Sequence, residues 1–297
     1  SENCYHFLKK VECKKFIYID PQQPITDAVQ LISEDLKIKT ACIQFSNLGC
    51  LSCLMIPSSD HFLIFSSLYE KVFKWNDLGP KKFHSIGYSF IQERELIGQL
   101  NQKDKKKYKD NFVISYFDES VENHKWGYFS EKNNLIYTEK LAKFVINNEK
   151  VVIILKPQFV YNSFKRFNSS IIRKAILTGR FLEFNKGTHR NQITPSMVAR
   201  ISNLTITHIS GGTAALEIAL CGKPVVMINE GGYISAFDEY YNKANIIYKS
   251  LDEVLKLISS EFFKNNHEIS DWSEIIHEFS SDHTNAKELI NSFILDD

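Results

Sequence analysis

Short apolar blocks recur along this chain, separated by longer polar stretches with helical spacing. Phe16-Ile-Tyr-Ile-Asp20 predicts a buried strand, broken by Pro21-Gln-Gln-Pro24, after which Thr26 or Asp27 can cap a helix running to about Leu36. Residues 40–45 predict a second strand, with a turn at 46–49, and residues 62–65 a third that leads into a helix over about 68–75. Ile86-Gly87-Tyr88 closes this half, and the polar, lysine-rich stretch 101–110 interrupts the pattern. The pattern then restarts with strands at 112–117, 151–155 and 181–184 and helices over 135–147 and 169–177. Thr194 and Pro195 open a further helix; a late strand is expected at 245–248, a helix over 251–262 and a mostly helical tail over 269–293. Strands alternating with helices predict parallel α/β packing. The expected organisation is two parallel-sheet α/β domains, 1–100 and 111–297, joined by a linker at 101–110.

The most informative run is His208-Ile-Ser-Gly-Gly-Thr-Ala-Ala-Leu-Glu-Ile-Ala-Leu-Cys-Gly-Lys-Pro-Val-Val-Met-Ile-Asn229. A strand over 204–209 ends in Ser210-Gly211-Gly212-Thr213, and a helix is expected from Ala214. Two successive positions without a Cβ let the backbone pass close to a ligand. A helix starting there aims its free N–H groups and positive dipole end at it. That describes a seat for phosphate. Glu217, one turn beyond Thr213, would repel phosphate but suits neutral hydroxyls such as those of a ribose. Gly222 stops the helix, Pro224 prevents its continuation, and residues 225–228 read as a buried parallel strand ending at Asn229-Glu230-Gly231-Gly232. Gly-Gly alone would signify only a tight turn. The full order of strand, turn, acid-bearing helix, Gly-x-Pro and strand favours a ligand site at the carboxyl ends of the strands.

This run resembles the donor-nucleotide motif in the C-terminal domain of GT-B glycosyltransferases, closest to bacterial enzymes that build surface polysaccharide; the likeness extends more weakly from about Phe16 onward. The resemblance implies a GT-B-like enzyme of two Rossmann-like parallel-sheet domains with a nucleotide-sugar donor in the cleft between them. It implies a first domain shorter than usual for the family and a last helix returning to that domain. The partners it implies are a nucleotide-sugar donor and a glycan or lipid-linked glycan acceptor. It implies no separate cofactor and a cytoplasmic setting, where peripheral association at the inner face of a membrane is open. GT-B enzymes generally lack an Asp-x-Asp metal motif, and this chain contains none, which agrees with metal independence. Whether the sugar is a hexosyl, Kdo or sialic-acid type stays open, as does the nucleotide (UDP, GDP or CMP).

The donor-binding set expected on this basis is Lys156, Ser210, Gly211, Gly212, Thr213, Glu217 and Asn229. Lys156 ends the strongest apolar strand, where an ammonium can neutralise phosphate, although Lys156-Pro157 departs from the His-Pro form of sialyltransferase-like enzymes. Catalytic candidates are Asp118 and Glu119 after the first strand of the second half, and Asp20 by position in the first half. Each also has a plain reading as a turn or capping residue. His208 reads as a satisfied core histidine, and the loop Lys186-Gly-Thr-His-Arg190 as solvated or base-binding. The alternatives to a transferase are a nucleotide-sugar epimerase of the same fold, a non-catalytic nucleotide-sugar-binding subunit, and a polyol-phosphate transferase, whose basic motifs are not evident.

Composition narrows the field further. Of 297 residues, 43% are hydrophobic and 24% charged, which is ordinary for a globular protein. A net charge of +1 gives no support to nucleic-acid binding. No apolar run is long enough to cross a bilayer, and Ser1-Glu-Asn-Cys-Tyr-His is not a signal-peptide start. The cysteines, Cys4, Cys13, Cys42, Cys50, Cys53 and Cys221, are scattered as reduced thiols would be. Cys50-Leu-Ser-Cys53 has no second pair to complete a zinc site.

Overall fold

The computed structural model describes residues 2–19, 24–46, 58–73, 79–88, 108–118, 130–157, 167–184, 195–259, 270–280 and 285–295. Asp20, Glu119, the Cys50/Cys53 pair, the loop 186–190 and Thr194 lie outside the described residues. The chain divides into two compact units: one comprises 1–47, 51–90 and 273–297, the other 48–50 and 91–272.

The first unit is built on four parallel strands in the order β1 (Lys15–Ile19), β2 (Lys39–Ile43), β3 (His61–Ile64) and β4 (Lys82–Ser85). Sequence patterning did not predict β4. Its Lys-Phe-His-Ser run lacks an apolar block, and it forms as an edge strand because β3 offers a partner. Helix α1 (Glu2–Lys10) was also not expected; Leu8 is its buried residue, packed with Val29, Ile32 and Ile38 around helix α2 (Pro24–Leu36). Tertiary contact thus holds a segment of weak propensity. A 3-10 turn at Ser67–Tyr69, capped by Ser66, leads into the short α3 (Glu70–Phe73). Edge-to-face contacts of Phe62 with Phe73 and of Phe65 with Tyr69 and Tyr88 fill the core. The tail helices, labelled α10 (Ser273–Ser280) and α11 (Asn285–Leu295), pack in this unit. Leu289, Ile290 and Phe293 lie on Ala41, Leu63 and Ile86, and Phe279 meets Tyr69 edge-on.

The second unit has six parallel strands: β5 (Phe112–Phe117), β6 (Val151–Lys156), β7 (Phe181–Glu183), β8 (Leu204–His208), β9 (Val225–Ile228) and β10 (Ile247–Tyr248), in the order β10-β9-β8-β5-β6-β7. β8 and β9 are buried along their whole length, as strands covered on both faces must be. Helix α4 (Glu131–Asn147) starts earlier than its apolar pattern suggested. Ser130 caps it by accepting from Asn133 N, so the polar first turn is stabilised by a hydrogen bond instead of burial. Helices α5 (Ser170–Leu177) and α9 (Leu251–Leu257) join α4 in one core cluster with Ile114, Ile153, Ile206 and Val226. Helices α6 (Pro195–Ala199) and α7 (Gly212–Leu220) pack together, and α7 also contacts β8 and β9. A further helix, α8 (Asp238–Lys243), was not predicted; Tyr241 anchors it.

The chain winds outward from β5 through β6 to β7, then restarts on the other flank of β5 with β8. Right-handed crossovers leaving β5 and β8 in opposite directions put α4 and α7 on opposite faces of the sheet. The carboxyl ends of β5 and β8 therefore border a topological switch point, where open α/β sheets bind ligands.

Candidate functional site

Strand register places several of the candidate residues along one edge. Phe117 pairs with Lys156, Tyr116 with Ile206, and His208 with Ile228. Asp118, Lys156, the Ile209-Ser210 turn and Asn229 consequently leave the sheet at its carboxyl edge, on four adjacent strands. The half-buried Lys156 donates its Nζ to the carbonyl of Pro157 at 2.9 Å. Burial lowers its pKa, and Asp118 opposes that shift. Asp118 accepts from the Nδ2 of Asn134 at 3.3 Å.

The glycine turn starts sooner than expected. β8 stops at His208, a 3-10 turn spans Ile209–Gly211, and α7 begins at Gly212 instead of Ala214. Gly212 has φ −53° and ψ −18°, ordinary right-handed values, so left-handed freedom is not what the position requires. Gly222 does take it, at φ +67°, just after the helix. Glu217 is half-buried, and its Oε1 accepts from the backbone N of Ser196 at 3.1 Å. It thereby caps α6, where a negative charge meets the positive helix end. Asn229 has both ends of its amide engaged: Nδ2 donates to the carbonyl of Tyr233 and Oδ1 accepts from Tyr233 N, each at 2.8 Å. These bonds close the loop that carries Glu230, Gly231 and Gly232, with Gly232 at φ +62°.

A cavity of about 330 Å³ opens beside this turn, lined by Asn133, Tyr137, His208, Ser210, Glu230 and Tyr233 among others. Tyr137 donates its hydroxyl to the Oε2 of Glu230. Burial raises the Tyr137 pKa, and Glu230 adds to the shift, so the phenol stays protonated as a donor. His208 is 6% exposed, with Nε2 2.8 Å from the Tyr116 hydroxyl. Burial pushes its imidazole down to about 4, so it is neutral near physiological pH. Tyr116, Tyr137 and Tyr233 were not singled out from the sequence. Tyr137 and Glu230 are separated by 93 positions, and no local pattern could pair them.

Among the described residues no group of three His, Cys, Asp or Glu side chains could hold a metal ion, and no helix is long and apolar enough to cross a membrane.

No protein-family model matches the sequence, and no curated protein matches it. Solved structures do match. A co-structure of S. aureus MnaA with UDP is 11% identical, with 98% of this chain and 76% of that one covered and a TM-score of 0.63. The UDP-GlcNAc 2-epimerase from Neisseria meningitidis bound to UDP-GlcNAc is 11% identical, with 100% and 80% covered and a TM-score of 0.59. A glycosyltransferase from Rickettsia africae is 12% identical, with 100% and 81% covered and a TM-score of 0.57. At such identities the likeness is one of architecture, and with its two parallel sheets it establishes that the chain has a GT-B-type fold.

Proposed function

We propose that this protein is a glycosyltransferase that takes a nucleotide-activated sugar as donor and moves the sugar to a hydroxyl of a growing bacterial surface glycan. The observation that carries the reading is the glycine turn at a topological switch point. Ser210 and Gly211 lead into α7, which opens with Gly212 and Thr213, at the carboxyl edge that Asp118 and Lys156 also reach from β5 and β6. Backbone N–H groups at a helix start, backed by its dipole, would hold the donor phosphates. A phosphate would also favour the ammonium of Lys156, which burial disfavours. Charge developing on the leaving nucleotide is then met by fixed donors, a form of electrostatic catalysis that needs no metal. Asp118, at the same edge, is the candidate to accept the acceptor proton or a sugar hydroxyl bond. Glu217 is proposed to accept from a ribose hydroxyl in addition to capping α6. The setting proposed is cytoplasmic, with any membrane contact made through a lipid-linked acceptor.

A second reading is an epimerase, supported by the likeness to the Neisseria meningitidis UDP-GlcNAc 2-epimerase over the whole of this chain. A product assay separates the two: free epimerised sugar nucleotide against an extended glycan. The donor site itself is tested by thermal shift with UDP, GDP, CMP and their sugars. A ligand that binds only the folded state raises apparent stability. The expected result is a shift with one nucleotide class that is largely lost in Glu217→Ala. Absence of any shift across the panel would overturn the reading.

A further inference from the structure

The cavity beside the glycine turn differs in chemistry from the turn itself. The start of α7 offers backbone donors and a positive dipole end, which suits anions. The cavity, bordered by the opposite-face helix α4 and the loop after β9, presents the exposed carboxylate of Glu230 with the Tyr137 hydroxyl bonded to it. Lys140, the cation on its rim, is already bridged to Asp252 at 2.6 Å. Phosphate placed there would meet the Glu230 carboxylate, with the Lys140 ammonium shared with Asp252. Neutral hydroxyls are favoured instead: Glu230 accepts, Asn133 both donates and accepts, and the hydroxyl of Ser210 does either. The half-buried ring of Tyr233 lines the same space and gives the apolar C–H face of a sugar ring something to lie on, whereas the buried Tyr137 ring is packed against Tyr116 and His208 and offers its hydroxyl. At about 330 Å³ the cavity is at the small end of ligand pockets, the scale of a single substituted monosaccharide. Ser210 belongs both to the cavity lining and to the glycine turn, so the two sites are contiguous.

We propose that this cavity holds the glycosyl ring of the donor, and that Glu230 and Tyr137 act as its specificity pair by reading ring hydroxyls; the inference rests on the donor-site reading above. The Tyr137–Glu230 bond sets the geometry. Asn229, with both amide ends bonded to Tyr233, fixes the loop from which Glu230 projects. Ring hydroxyls then exchange with or extend that bond. Sugars whose hydroxyls point away from Glu230 leave its carboxylate unmatched, which is the stronger source of discrimination.

The test measures binding of UDP, GDP and CMP, and of UDP-GlcNAc, GDP-mannose and CMP-sialic acid, by calorimetry. The proteins compared are wild type, Glu230→Gln, Tyr137→Phe and Glu217→Ala. Glu230 is exposed and Tyr137→Phe keeps the ring, so both variants are expected to fold, which far-UV circular dichroism checks. The expected result is that Glu230→Gln and Tyr137→Phe weaken the sugar nucleotide about tenfold or more while the bare nucleotide binds as to wild type. Glu217→Ala should weaken both ligands. Unchanged sugar-nucleotide affinity in the two pocket variants, or equal loss of both ligands, would overturn the proposal and leave the donor site standing. No binding of any ligand to wild type would remove the donor site and this inference together.

Discussion

The hydroxyl of Tyr116 lies 2.8 Å from the Nε2 of His208, and both side chains are buried beneath the carboxyl edge of the second sheet. His208 is held neutral there by burial, which pushes it down to about 4. An unfolded histidine titrates near 6.5, so the folded form binds its proton less readily. The stabilising contribution is therefore complete above about pH 6.5 and is lost as pH falls from there toward 4, a span worth on the order of 3 kcal/mol. Urea unfolding of wild type and His208→Gln near neutral pH and at about pH 4.5 should show a smaller acid loss in the variant. Identical losses would remove His208 as a source of acid sensitivity.

Glu217 caps α6 through its bond to Ser196 N. Glu217→Ala should lower stability by roughly 1 kcal/mol, as loss of a cap does, whereas Glu217→Gln keeps an acceptor oxygen and should stay close to wild type. Chemical denaturation of both variants decides this. It also supplies the stability correction needed before any loss of nucleotide binding in Glu217→Ala is ascribed to the ribose.

A methyl group on Gly231 would sit 2.4 Å from the Cε2 of Tyr233 and 2.8 Å from its Cζ. Gly231→Ala therefore has to displace the far end of the half-buried Tyr233 ring, at a cost at the low end of overpacking, about 1 kcal/mol. In a Tyr233→Ala background the same change should cost far less. A double-mutant cycle measures the coupling; strictly additive effects would contradict the steric account.

Arg180 donates one nitrogen, Nη1, to the carbonyls of Val145 at 3.0 Å, Asn148 at 2.6 Å and Val151 at 3.0 Å. It thus ties the end of α4 to the start of β6, placing a cation at the negative end of a helix. Arg180→Ala should cost roughly 2 kcal/mol, and Arg180→Lys should restore only part of it because its ammonium, although it has three donors, sits on a shorter stem that does not reach all three carbonyls. Thermal and urea unfolding give the values. A wild-type midpoint for Arg180→Ala would show that water replaces the guanidinium without penalty.

The sequence alone determined which segments become strands wherever apolar residues run together. Residues 112–117 and 225–228 match β5 and β9 end for end, and 151–155 falls one short of β6. It also determined the stop at Gly222, because a helix followed by Gly-x-Pro has few other conformations. Local chemistry suffices for such features. It failed for α1, β4 and α8, whose own sequences are weakly patterned and which form because a neighbour offers a surface or a free edge. Only the tertiary structure decided the strand order, and hence the switch point between β5 and β8. It likewise decided that Glu217 reaches Ser196, that Asn229 closes its own loop, and that Tyr137 meets Glu230. Those contacts join residues of different elements or turn a side chain back on its own loop. Their geometry follows from how sheet and helices pack, which no local run of residues encodes.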